Sequence, residues 1–87
     1  RYMLTGPVTI IGRGSESDII VDDSGVSRRH LEIRLTAGHT VATDLGSTNG
    51  TFVEGVRMDA ATLVNGNTIT IGHTTIMFWD GSDEVSG

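Results

Sequence analysis

Three short stretches of this chain carry side chains able to do chemistry. They are Ile11-Gly12-Arg13-Gly14, Gly25-Val26-Ser27-Arg28-Arg29-His30, and Asp44-Leu45-Gly46-Ser47-Thr48-Asn49-Gly50-Thr51. Together they offer arginine forks, serine and threonine hydroxyls, an asparagine amide and backbone N–H groups freed by glycine. That inventory suits a planar or multi-oxygen anion such as a phosphate group. It suits catalysis poorly. Ser27, His30 and Asp44 have the residue types of a hydrolase triad, but Ser27 lacks a sharp strand-to-helix turn and no oxyanion-donor motif accompanies it. Gly12-Arg13-Gly14 lacks the lysine and the following helix of a phosphate-binding P-loop. His30, His39 and His73 have no zinc-ligand spacing, and Asp22-Asp23 has no calcium-loop pattern. The residues therefore point to a binding module, not an enzyme, with no metal and no cofactor.

Such residues need a rigid scaffold, and the composition says which kind. The chain has twelve threonines, eight valines and eight isoleucines among 87 residues, with no lysine and no glutamine. These are strand formers, and twelve glycines mark frequent turns. Candidate strands are Val8–Ile11, Ile19–Val21, Leu31–Leu35, Thr40–Asp44, Thr51–Val53, Thr68–Ile71 and Thr75–Trp79. Leu31-Glu32-Ile33-Arg34-Leu35 and Thr68-Ile69-Thr70-Ile71 alternate, so each presents one face to a core and one to water. Glu54-Gly55 separates Thr51–Val53 from Val56–Met58 as a tight hairpin turn. His39 and His73 fall in turns. No window shows helical periodicity. Short strands with turns this closely spaced predict an all-β sandwich of two twisted, mainly antiparallel sheets.

The three stretches, in this order and at these spacings, resemble the signature of the forkhead-associated (FHA) domain. Leu63-Val64-Asn65-Gly66-Asn67-Thr68-Ile69-Thr70-Ile71-Gly72 is similar to that family's penultimate strand and the turn before it, so the likeness runs over about residues 8–79. It implies a β-sandwich that binds phosphothreonine peptides through loops at one end, an Arg-cluster mode of recognition. Carried over residue by residue, Arg13 is expected to contact the phosphate or steady the peptide beside it, and Ser27 to hydrogen-bond a phosphate oxygen. Arg28 is expected to reach the phosphate and Thr48 to add phosphate or pocket-wall contacts, with Ser47 counted among the phosphopeptide-binding residues. Asn49 is expected to hold the peptide main chain just after the phosphothreonine. Gly12, His30, Asp44 and Gly46 are expected to support the loops. Arg28 and Arg29 point oppositely along an extended segment, which leaves Arg29 on the surface. The implied partner is a phosphothreonine-containing protein, such as a Ser/Thr kinase or its substrate. The alternative within the family is a phosphate-independent assembly module that uses a sheet face or edge.

Length and charge bound the rest. One domain, residues 1–79, fills the chain, and Asp80–Gly87 reads as an acidic flexible tail or linker stub. Eleven acidic against six basic residues give a net charge of −5, the wrong balance for nucleic-acid or anionic-membrane binding. No apolar run reaches the ~20 residues that span a bilayer, so a cytoplasmic setting is expected. There are no cysteines. All six basic residues are arginine, which leans towards a GC-rich bacterium. Only eleven residues precede Gly12, and Tyr2–Leu4 with Val8–Ile11 supply one hairpin's worth of strand, so the family's first strand is expected to be missing. The apolar Thr75–Trp79 edge is then poorly covered, which predicts a monomer or a weak edge-strand dimer.

Overall fold

The computed structural model describes Leu4 and residues 6–79. Most of the Tyr2–Leu4 candidate and the whole Asp80–Gly87 tail lie outside the described residues. Nine strands follow in chain order: β1 Val8–Gly12, β2 Ile19–Ile20, β3 Leu31–Thr36, β4 His39–Asp44, β5 Thr51–Val53, β6 Val56–Met58, β7 Ala60–Thr62, β8 Thr68–Ile71 and β9 Thr74–Met77. They form a five-stranded sheet in the order β2-β1-β3-β4-β7 and a four-stranded sheet in the order β6-β5-β8-β9. Every pairing is antiparallel except β1 with β2.

Alternation along the strands builds the core. Leu31 and Ile33 of β3 are buried while Arg34 between them and Leu35 is exposed, and Ile69 and Ile71 of β8 are buried while Thr68 and Thr70 are not. Ile11 and Ala42 join from the first sheet, and Val26, Leu63 and Phe78 from connecting segments. Each large apolar side chain removed from water contributes roughly 1.5–3 kcal/mol.

Register brings the loops together. Ile11 lies opposite Leu31, and Leu31 opposite Asp44, so β1 ends, β3 begins and β4 ends in one row. In the other sheet Thr51 lies opposite Ile71, and Ile71 opposite Thr74. Four connections therefore emerge at the same end of the sandwich: those after β1, before β3, between β4 and β5, and between β8 and β9.

Three elements differ from the sequence reading. β7 went unanticipated because Ala60 and Ala61 have little strand preference; their strand exists through pairing with β4, where Ala61 faces Ala42. His39 opens β4 opposite Thr36 and does not sit in the turn. The last strand ends at Met77, since Phe78 leaves the ladder to exchange hydrogen bonds with the β7–β8 connection, its N–H on Asn67 O at 2.9 Å and its carbonyl on Gly66 N at 2.8 Å. Glu54 and Gly55 both adopt positive φ, 53° and 80°, the requirement of a two-residue hairpin with type I′ twist.

Candidate functional site

The β1–β2 connection starts at Gly12. A Cβ there would collide with the carbonyl oxygen of Arg28, so only glycine lets the two loops approach this closely. The approach is held by backbone bonds from Arg13 N to Ser27 O at 2.9 Å and from Gly14 N to Arg28 O at 3.0 Å. Arg13 Nε donates to Val26 O at 3.0 Å, which fixes the guanidinium plane beside the second loop. Its terminal amino groups have no hydrogen-bond partner among the described residues.

His30 organises the second and third loops. It is fully buried. Its Nδ1 accepts the backbone N–H of Ser27 at 3.0 Å, so Nε2 carries the proton and donates to Gly50 O at 2.9 Å. Both ring nitrogens are thus used by backbone, and neither faces the Ser27 hydroxyl. Ser27, His30 and Asp44 therefore do not form a nucleophile–base relay. Ser27 Oγ accepts Thr48 N–H at 3.1 Å, which leaves its own O–H to donate elsewhere.

Asp44 closes the third loop on itself. It accepts the N–H groups of Gly46 at 3.1 Å and Ser47 at 3.0 Å, and the hydroxyls of Ser47 and Thr51, both at 2.6 Å. Burial pushes its carboxyl upward, but the hydroxyls of Ser47 and Thr51, with the Ser47 N–H and nearby His30, bring it net below the ordinary aspartate value. Ser47 Oγ also accepts Gly50 N–H at 2.9 Å. Ser47, expected among the phosphopeptide contacts, has its hydroxyl engaged as both donor and acceptor inside the loop.

Arg13, Ser27, Arg28, Thr48 and Asn49 line one open depression of about 330 Å³. Ser24, Gly25 and Val26 form a further wall, which the motif alone did not reveal. Asn49 Nδ2 donates to Gly25 O at 2.9 Å and so ties that wall to the third loop. Arg28 pairs with Glu16 at 3.1 Å, both side chains largely in water, an arrangement that leaves the guanidinium exchangeable. Glu16 is held below the ordinary value by its own backbone N–H first and then, against some burial, by Arg28. Glu16 was also not anticipated, since its role depends on how the β1–β2 connection folds back. Arg29 is exposed and lies outside the depression.

The family model described as FHA domain matches residues 9–72. The chain belongs to the FHA family. Glycogen accumulation regulator GarA of Mycolicibacterium smegmatis is 44% identical over 81 residues, covering 93% of this chain and 51% of that protein. The chain thus spans about half the length of that relative. An FHA chain solved for a structural and functional analysis of phosphothreonine-dependent FHA domain interactions superposes with a TM-score of 0.84 at 42% identity, covering 87% of this chain and 79% of that one. Mycobacterium tuberculosis EmbR, solved in complex with a low-affinity phosphopeptide, superposes with a TM-score of 0.84 at 38% identity over 87% of this chain and 20% of that one. The sandwich described above is the FHA fold.

Proposed function

We propose that this FHA domain is a phosphothreonine-peptide recognition module that mediates phosphorylation-dependent protein–protein interaction in Ser/Thr kinase signalling. One observation carries the reading. Two adjoining loops bring Arg13, Ser27 and Arg28 around one depression that Thr48 and Asn49 of a third loop complete, and each of the first three has hydrogen-bonding capacity toward an entering anion. A phosphothreonine carries about −1.5 to −2 charge and three strong acceptor oxygens. Charge-assisted hydrogen bonds contribute roughly 1.5–3 kcal/mol each, so two arginines and a hydroxyl supply most of a micromolar affinity of about −8 kcal/mol.

In this reading Arg13, Ser27 and Arg28 bind the phosphate, Thr48 walls the pocket, and Asn49 holds the peptide main chain. Gly12, His30, Asp44, Gly46 and Ser47 support the loops. The names and complexes of the relatives support it, as do the loop geometry and the motif order. The protein acts by binding, without catalysis. We take its setting to be the cytoplasm, where ATP-dependent phosphorylation occurs; among the described residues no helix is long and apolar enough to cross a membrane.

A degenerate phosphothreonine-peptide library screened on the domain, followed by calorimetry of the selected peptide with and without its phosphate, tests the proposal. Binding of the phosphorylated form alone is the expected result. Equal affinity for both forms would favour the phosphate-independent alternative at the β9 edge, where Met77 is 54% and Trp79 59% exposed.

A further inference from the structure

Asp23, part of a dipeptide that fitted no ligand-binding pattern, has more hydrogen-bond donors gathered on it than any simple turn requires. It follows β2, and its side chain is only 8% exposed. Oδ1 accepts Gly25 N–H at 2.8 Å, while Oδ2 accepts His73 N–H at 2.8 Å and the Thr74 hydroxyl at 2.6 Å. His73 Nδ1 stands 3.3 Å from Oδ1. One carboxylate therefore links the loop before β3, in the first sheet, to the β8–β9 turn in the second. The two backbones meet closely there: a Cβ on Gly72 would stand 2.8 Å from the Gly25 carbonyl carbon.

The linked loop is a wall of the anion pocket. Gly25 has its N–H held by Asp23 and its carbonyl held by Asn49, so both faces of that residue's backbone are fixed. Val26 N–H bonds Asp23 O at 2.9 Å, and Val26 O in turn holds Arg13 Nε. A short chain of hydrogen bonds thus runs from the Asp23 side chain and backbone to two of the residues assigned to the phosphopeptide. We propose that Asp23 is a positioning residue for the phosphothreonine pocket, acting by fastening the Gly25–Val26 wall to the β8–β9 turn; this rests on the function proposed above.

The choice of a carboxylate supports the assignment. A negative charge near a site for a dianion opposes binding by itself. Three converging donors, however, need an acceptor-only group, and an amide would turn an NH₂ towards one of them. The Thr74 hydroxyl and the Gly25 N–H, with the His73 N–H and against some burial, hold the Asp23 carboxyl well below the usual carboxylate range, so the charge is maintained.

Asp23→Asn separates the two effects by sign. Loss of charge alone would tighten phosphopeptide binding, whereas loss of the fastening weakens it. Calorimetry of the parent, Asp23→Asn, Thr74→Val and the distant core variant Leu63→Ala with the library-selected phosphothreonine peptide reads the difference. Each is measured at a temperature where circular dichroism shows it folded. We expect about a 10-fold loss for Asp23→Asn and about a 3-fold loss for Thr74→Val. Leu63→Ala should melt lower yet bind as the parent does. Unchanged or tighter binding by Asp23→Asn overturns the proposal, as does an equal loss in Leu63→Ala, which would indicate general softening. If Asp23→Asn does not fold, Thr74→Val decides, and parent-like affinity there overturns the proposal. A parent that binds the unphosphorylated peptide equally well instead overturns the underlying function, and it is seen before any variant is measured.

Discussion

His30 and Ser27 are neighbours in one motif with opposite kinds of role. His30 is wholly buried, with both ring nitrogens bonded to backbone. Replacing it with alanine strands the Ser27 N–H and the Gly50 carbonyl beside a fully buried position. Each stranded group costs about 1–3 kcal/mol, and the vacated ring volume adds to that. His30→Ala should therefore melt well below the parent and lose binding as a consequence. Ser27→Ala and Arg13→Ala remove groups that face the depression, so they should keep most of the melting temperature and lose about 10- to 150-fold in phosphopeptide affinity. Thermal melting beside peptide titration separates the two classes. If His30→Ala melts like the parent yet cannot bind, its role is contact and not support. The order and spacing of Arg13, Ser27, His30 and Asn49 were legible through their resemblance to a family. The engagement of Ser47 was not, because a hydroxyl's partners are decided by how its own turn closes, with Asp44 on one side and Gly50 N–H on the other.

Loops carry the chemistry here only because strand registers align their ends. β1, β3 and β4 share the row Ile11, Leu31 and Asp44, and the β1–β2 connection then packs against the segment before β3 with no space for a side chain at Gly12. Gly12→Ala forces a backbone shift in the pair of loops that carries Arg13, Ser27 and Arg28. The expected result is a cost of about 1–3 kcal/mol from overpacking, which is about 4–8 °C in melting temperature per kcal/mol for a domain of this size, together with weakened phosphopeptide binding. An alanine variant with parent-like melting would show that the loops can separate at no cost. Strands with strong alternation, β3 and β8, were readable because their pattern reflects burial directly. β7 was not, since its two alanines become a strand only when β4 offers them a partner. The wall at Ser24–Val26 escaped notice for a related reason: it is placed by Asp23 and by the turn after β8, nearly fifty residues further along the chain.

At the scale of the whole molecule, two acid-sensitive processes separate by pH. The net charge is −5, so the arginine-lined depression is a local positive site on an acidic protein. Its proposed ligand loses charge first. The second ionisation of a phosphothreonine lies at about pH 6, so the dianion falls to about a tenth of the ligand by pH 5, and affinity should drop by up to about 10-fold between pH 7 and pH 5. The fold responds at lower pH through Asp23 and Asp44. Both carboxyls are held in the folded state below the ordinary aspartate value of 3.8. The unfolded chain therefore binds more protons than the native one once the pH falls towards 3.8, and stability decreases with further acidification. Above that value both carboxylates are ionised in either state, and their contribution is fully present. Titration calorimetry from pH 7 to 5 and denaturant unfolding from pH 5 to 2 measure the two processes separately. Asp23→Asn removes one of the two carboxylates, so its stability should depend less steeply on pH below about 4 than the parent's. An unchanged slope would show that the hydrogen bonds from Thr74, Gly25 and His73 do not hold the Asp23 charge in the folded state.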